Sequence, residues 1–455
     1  MDFEDSKTDI AVALSTPPGI GALGIIRLTG AGSIELVNKV FEGKDLQEQA
    51  SHTVHFGKIV ANKKILDEVV VTLFRGPKSF TGEDVVEISC HGSNYIIQST
   101  IQLLIKTGAR LAKPGEFTQR AFINGRLDLA QAEAVADLIA AESESAHATA
   151  MKQMRGGFSK AISELRHQLV HFASMIELEL DFSEEDVEFA NRKELKTLVA
   201  KIQKVVDRLM QSFRLGNVLK NGIPVVIAGK PNVGKSTLLN ALLNEDKAIV
   251  SDIPGTTRDS IEDTLNIEGV LFRFIDTAGL RETKDEIEAI GVEKTRNKLA
   301  QASLIVLMFD LTQESQESMN NQIQEIASFD TPYLLIGNKI DEVDSKTFST
   351  PEEMVYLSAK TGQNLDKLKS EFRKRSNQEI LKTEGTVVTS ARHYESLKLT
   401  KEALERVVQG IDENVSSDFV ALDIRQALAH LGEISGEITT DDLLANIFSK
   451  FCIGK

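Results

Sequence analysis

The chain has 455 residues, 42% of them hydrophobic and 26% charged, enough for about three domains and too well mixed for a disordered chain or a mini-protein held by staples. Its 52 Lys and Arg against 67 Asp and Glu leave a formal net charge of −15, so phosphate backbones are repelled on average and any nucleic-acid contact must be a local patch. Cys90 and Cys452 are too few for a disulfide framework, no apolar run reaches the ~18 residues of a membrane span, and the opening MDFEDSKTDI is acidic where a signal peptide is basic; a reduced, cytoplasmic protein without a membrane partner is expected.

Short β-branched runs at Asp9–Ser15, Gly24–Leu28, Leu66–Phe74 and Val85–Cys90, punctuated by Pro17-Pro18-Gly19 and Arg75-Gly76-Pro77, predict a mixed α+β start. Ile97, Ile101, Leu104 and Ile105 have helical spacing that ends at Gly108. From about 124 to 217 the pattern turns to long helices. Ile162, Leu165, Leu169, Ala173, Ile176 and Leu180 form one apolar stripe, and Leu195, Leu198, Ile202, Val205, Leu209 and Phe213 a second, each requiring a partner helix. Strand and helix alternate from Pro224 to about Leu381, after which helical spacing resumes at Leu397, Leu404, Val408 and Ile411 and again at Leu443, Leu444, Ile447, Phe448 and Phe451. An α/β unit is inserted into a helical bundle. Cys90 and His91, being strand neighbours, should face opposite ways, and His167 and His171 read as a solvated helix face.

The inserted unit carries the chemistry. Gly229-Lys230-Pro231-Asn232-Val233-Gly234-Lys235-Ser236-Thr237 fits the phosphate-binding loop pattern, after the apolar strand Val225–Ala228 and before helix-forming residues. Backbone N–H groups of such a loop face phosphate, Lys235 adds a point charge, and the Ser236 hydroxyl can ligate Mg²⁺. Asp276-Thr277-Ala278-Gly279 follows a strand and can hold the Mg²⁺ shell and meet the γ-phosphate. Asn338-Lys339-Ile340-Asp341 ends another strand, with Asp341 able to accept from guanine N1–H and the 2-amino group, and Ser358-Ala359-Lys360 completes the base site. In order, these elements predict GTP binding and resemble those of the translation-factor-related GTPases. Between them, the polar segment Ile253-Pro254-Gly255-Thr256-Thr257-Arg258-Asp259 offers Thr257 as a second Mg²⁺ ligand, and Ser251 and Asp252 just before it are counted with the GTP-binding residues. Leu280 stands where Ras-like enzymes carry a water-orienting Gln, so hydrolysis must borrow a group, and Arg281, Glu282, Glu286 and Glu288 follow closely.

With these motifs, Thr16-Pro17-Pro18-Gly19, Ser79-Phe80-Thr81-Gly82-Glu83-Asp84, Lys113-Pro114-Gly115-Glu116-Phe117, Leu127–Glu133 and the terminal Cys452-Ile453-Gly454-Lys455 make the whole chain resemble the MnmE (TrmE) family of tRNA-modification GTPases. The resemblance implies a multidomain α/β protein: an N-terminal α+β folate-binding and dimerisation domain (1–122), a discontinuous helical bundle (123–218 and 382–455) and an inserted Ras-like P-loop GTPase domain (219–381). It implies K⁺ near the β and γ phosphates, held by Asn232, Ser251, Ile253 and Thr256, with Glu288 orienting the water. It further implies a 5,10-methylene- or 5-formyl-tetrahydrofolate pocket lined by Arg27, Glu87, Arg126 and Lys455, with Cys452 near the one-carbon unit. The partners implied are a second copy of the chain, the FAD-dependent MnmG in a heterotetramer, and tRNA modified at C5 of the wobble uridine. The alternative is a ribosome-assembly or regulatory GTPase without modification chemistry.

Overall fold

The computed structural model of the chain describes residues 9–181, 192–247, 263–275, 302–329, 331–343, 354–380 and 386–454. Two compact units, each discontinuous in sequence, make up the fold: Met1–Ala136 with Gln153–Ala190 and Val415–Lys455, and Asp137–Lys152 with Asn191–Asn414.

In the first unit, β1 (Ala11–Leu14), β2 (Leu23–Thr29), α1 (Ser33–Asn38), β3 (Phe41–Glu42), β4 (Thr53–Ala61), β5 (Lys64–Phe74), β6 (Val85–His91), α2 (Asn94–Thr107) and β7 (Arg110–Leu111) follow in order. The strands form a seven-stranded sheet, β3-β4-β5-β6-β2-β1-β7, with α1 and α2 burying Ile34, Leu36, Ile97 and Leu104 against Leu28 and Ile88. The predicted strands appear: the first is trimmed to Ala11–Leu14, and the other three are widened by one or two residues. β4 lies outside the sequence expectation for a physical reason: His55 and Gly57 face inward while Val54 and Phe56 are 62% and 66% exposed, so its apolar alternation runs in the opposite phase. The helix read from Ile97 to Gly108 starts earlier, at Asn94, and ends at Gly108, whose φ of 125° suits only glycine.

Helices α3 (Glu116–Ile123), α4 (Leu129–Ile139), α5 (Glu144–Met154), α6 (Gly157–Asp181) and α7 (Arg192–Asn221) come next. On α6 the predicted stripe from Ile162 to Ile176 is buried, with His167 and His171 on the exposed side. On α7 the buried line runs through Leu195, Val199, Ile202, Val206 and Leu209. Val199 and Val206 thus replace the predicted Leu198 and Val205, which sit half-buried at the seam's edge.

The second unit's sheet is built from β8 (Ile223–Ala228), β9 (Asp263–Ile267), β10 (Val270–Phe274), β11 (Leu304–Asp310), β12 (Tyr333–Asn338) and β13 (Met354–Tyr356), with α8 (Lys235–Lys247), α9 (Gln316–Ala327) and α10 (Leu365–Ile380) between or after them. Its order is β13-β12-β11-β8-β10-β9, parallel except for the β9–β10 hairpin. All residues of β11 are buried, as a central parallel strand covered on both faces requires.

The chain closes with α11 (Ala391–Asp412), α12 (Ser417–Ser435) and α13 (Asp441–Phe448). The two predicted stripes find different partners. α6 packs on α12 within the first unit, with Arg425 donating to Glu177 at 3.0 Å. α7 packs on α11 within the second, with Lys401 Nζ 2.7 Å from Asp207 and Phe213 stacked on Tyr394 at 4.8 Å.

One charged cluster anchors α3. Glu116, its side chain 4% exposed, accepts from Arg110 at 2.6 Å, Arg120 at 2.8 Å and the Lys113 N–H at 2.8 Å, while Arg120 also reaches Asp9 and Glu83. Burial alone would raise the Glu116 carboxyl, but the hydrogen bonds from Arg110, Lys113 and Arg120 outweigh it and hold it at about 2, below the ordinary 4.5. A depressed carboxyl stabilises the fold above its unfolded value and loses that contribution as pH falls through the folded one. Glu116→Gln is therefore expected to lose about 3 kcal/mol at neutral pH. It should also flatten the decline in stability between pH 4.5 and about 2. Urea unfolding at stepped pH reads both; an unaltered acid limb would reject the assignment.

Candidate functional site

The nucleotide loop follows β8, central in the second sheet, where the carboxyl ends of parallel strands make a natural ligand crevice. Its backbone needs special residues: φ is 138° at Gly229, 63° at Asn232 and 100° at Gly234. A Cβ on Gly234 would run into the Asn338 amide, and one on Gly229 into the Met308 carbonyl. Buried Val233 pins the loop into the core, and α8 begins at Lys235. The Lys235 ammonium donates to the carbonyls of Gly229 at 2.7 Å and Lys230 at 2.8 Å, and burial holds its pKa below the ordinary lysine range. Ser236 is half-buried in the first turn of α8, with Thr237 exposed beside it. The first-turn N–H groups of a helix lack intrahelical acceptors, so anions are favoured there.

Asn338 ties this loop to the base-binding segments. Buried at the end of β12, it donates from Nδ2 to the Val233 carbonyl at 2.8 Å and accepts at Oδ1 from the Ala359 N–H at 2.9 Å. Lys339 follows in the left-handed region at φ 66° and reaches Asp310 at 2.5 Å. Burial would raise the Asp310 carboxyl, yet Lys339 and two hydrogen bonds from Thr312 pull it below the usual range. Asp341 is exposed and carries no partner among the described residues, leaving both carboxylate oxygens for a ligand. Ser358 is fully buried and accepts from the Thr361 N–H at 3.2 Å, with Ala359 buried and Lys360 exposed beyond it. The structure thus brings together Asn232 to Thr237, Asn338, Lys339, Asp341 and Ser358 to Lys360. Ser251 to Thr257, Asp276 to Gly279 and Glu288 lie outside the described residues, so Asn232 is the one predicted K⁺ ligand the structure places.

Two residues absent from the sequence expectation belong to this site. Asp310, closing β11, fixes Lys339; an acid ending an unbroken apolar run is the signal that could have found it. Glu314 accepts from Lys230 Nζ at 2.6 Å, steadying the loop's shoulder.

A second cluster lies in the first unit. Strand register sets Arg27 opposite Glu87. Arg27 donates from Nε at 2.9 Å and Nη2 at 2.7 Å to one Glu87 oxygen, and from Nη1 to the Gly454 carbonyl at 3.3 Å; its guanidinium stands 5.8 Å from the Phe117 ring centroid. Helix α13 is capped by Thr440 and buries Leu444, Ile447 and Phe448 against Leu129 and Ala132. The residues after it are not a free tail. Ile453 bridges Pro114, the Gly115 N–H donates to the Cys452 carbonyl at 3.3 Å, and Ser15 Oγ donates to the Gly454 carbonyl at 3.2 Å. Cys452 remains exposed, Arg126 is exposed with its stem beside Gly82, and Lys455 lies outside the described residues.

Cys90 and His91 diverge as expected: Cys90 is buried, its thiol pushed up to about 11 by desolvation and Asp67, while exposed His91 holds Asp67 at 2.7 Å through Nδ1. Cys90 is a core residue.

The model of the MnmE helical domain matches residues 129–452, and that of the GTP-binding protein TrmE N-terminus matches residues 10–126. A tRNA modification GTPase MnmE of Cytophaga hutchinsonii is 57% identical over 99% of this chain and 98% of that protein. Its counterpart in Christiangramia forsetii is 51% identical over 98% and 99%. Among solved structures, the G domain of the T. maritima FeoB iron transporter is 27% identical, covering 33% of this chain and 97% of that one with a TM-score of 0.25. Full-length identity above half, joined to a phosphate loop and guanine-type base segments in the order that the fold assembles them, places the chain in the MnmE (TrmE) family of tRNA-modification GTPases.

Proposed function

We propose that this GTPase acts with MnmG to install a carboxymethylaminomethyl or aminomethyl group at C5 of the wobble uridine of certain tRNAs, drawing a one-carbon unit from tetrahydrofolate. The observation that supports the folate half is the Arg27–Glu87 pair with the Gly454 carbonyl closed over it. Its side chains keep about a fifth of their surface open (22% and 24%), so both charges can still meet a ligand. The guanidinium suits a folate glutamate carboxylate, Glu87 suits the pterin amine, and Cys452 lies next to the strapped tail. Arg126 and Lys455 complete the proposed pocket. Exposed Leu23, Val54, Phe56 and Val70 on the sheet are consistent with a homodimer through this unit.

In the nucleotide site, Lys235 would hold the β and γ phosphates, Asp341 the guanine, and Ser236 with Thr257 the Mg²⁺, which supplies charge neutralisation on the phosphates. Asn232 fits a monovalent cation: it is exposed on the loop at φ 63°, with no side-chain partner among the described residues. Ser251, Ile253 and Thr256 would complete a K⁺ cage, with Glu288 orienting water. Hydrolysis is then expected to run at least about tenfold faster in K⁺ than in Na⁺, a barrier difference of about 1.4 kcal/mol. Asn232→Ala should remove that preference; equal wild-type rates in the two salts would reject the cage.

Nucleoside analysis of tRNA from a deletion strain tests the whole reading. Unmodified wobble uridines restored by the wild-type gene support it, while normal uridines with a ribosome-subunit imbalance would favour the assembly-GTPase alternative.

A further inference from the structure

We propose that the solvent face of α7 is a docking surface for the tRNA phosphate backbone, with Lys201, Lys204 and Arg208 as its centre. In a chain of net charge −15, this helix carries eight Lys and Arg against two acids, a net of +6. Its buried line through Leu195, Val199, Ile202, Val206 and Leu209 faces α11. Lys201, Lys204 and Arg208, stepping by three and four, lie on the other side and are all exposed.

Most surface helices scatter both signs so that charges pair along the helix, and α11 does so, setting Lys398 against Glu395 and Lys401 against Glu405. On α7, Lys196 is taken by Asp412, Lys220 by Asp137 and Asp207 by Lys401. Lys201, Lys204 and Arg208 have no acidic partner among the described residues, nor has Arg214 further along. Like charges at such spacing repel each other in the free protein. A polyanion reverses that: each cation neutralising a phosphate releases a condensed counterion. Polar Thr197 and Gln211 continue the stripe at both ends; Gln211 is exposed and adds a donor without charge, while the Thr197 hydroxyl donates to the Lys193 carbonyl at 2.8 Å. The helix then leads through the turn at Gly222 into β8, the strand that ends in the nucleotide loop. An acidic protein surface would meet the same charges, but an RNA partner is favoured because an unpaired cation row with no apolar anchor suits a phosphate track better than a protein interface.

This inference rests on the tRNA-modification reading. The test is tRNA binding to the full chain by fluorescence anisotropy across a salt series, comparing wild type with the triple variant Lys201→Gln, Lys204→Gln, Arg208→Gln. A second triple, Lys63→Gln, Lys64→Gln, Lys106→Gln, removes the same charge from exposed positions elsewhere. The α7 triple is expected to bind at least about tenfold more weakly, with a log–log salt slope shallower by about two to three, while the control changes little. Glutamine keeps helix propensity, and melting curves verify that the variants fold. Unchanged affinity and slope in the α7 triple, or an equal loss in the control, overturns the stripe. Wild-type protein that binds no tRNA, with gene-dependent wobble-uridine modification intact in cells, overturns the stripe alone; wobble-uridine modification that persists after deletion of the gene overturns the underlying reading.

Discussion

Asn338→Ala is expected to weaken guanine-nucleotide binding by about a hundredfold or more and to lower the melting temperature. The asparagine is 3% exposed and satisfies the Val233 carbonyl and the Ala359 N–H, one in the phosphate loop and one in the base loop. Truncation strands both groups away from water, at about 1–3 kcal/mol each. About 2.8 kcal/mol of that sum spent on binding geometry is already a hundredfold in Kd. Asn338→Asp separates the two bonds, because a carboxylate still accepts from Ala359 but cannot donate to Val233. It should fall between wild type and alanine for nucleotide affinity. Fluorescent GDP titration with parallel melting checks this; less than tenfold loss with an unmoved melting point would show that the loops hold themselves.

The phosphate loop was legible because everything it needs is local: strand, glycines, lysine and helix are contiguous in sequence. What secures it was not, since the Asn338 amide and Glu314 reach it only across the sheet, and Asp310 acts at one remove by holding Lys339. β4 escaped notice because exposed Val54 and Phe56 invert its alternation. At the other cluster, Lys113-Pro114-Gly115-Glu116-Phe117 stood out as a motif, but its roles came only with the fold. Gly115 admits Phe448 and Phe451 where a Cβ would crowd them, Glu116 gathers the arginines, and Phe117 lies under Arg27. The cationic face of α7 was hidden by averaging, since a global charge of −15 conceals one basic helix.

Arg27→Ala is expected to lower affinity for 5-formyltetrahydrofolate by about a hundredfold, a loss of about 2.8 kcal/mol. The substitution removes the cation proposed to meet the glutamate carboxylate and leaves Glu87, three-quarters buried, without its ion pair. It also frees the Gly454 carbonyl from one of two donors, loosening the terminal strap. Arg27→Lys keeps the charge but not the planar fork that spans Glu87 and Gly454 together, so it should recover only part of the loss. Gly454→Ala isolates the strap. At φ 92° an L side chain is strained, and its Cβ would collide with the Leu14 carbonyl. If the terminal residues form one wall of the pocket, this variant loses folate affinity with Arg27 intact. Calorimetry on the variants decides between a pocket and a packing contact: unchanged affinity in Arg27→Ala would remove folate from this site, and loss in Arg27→Ala without loss in Gly454→Ala would leave the tail outside it.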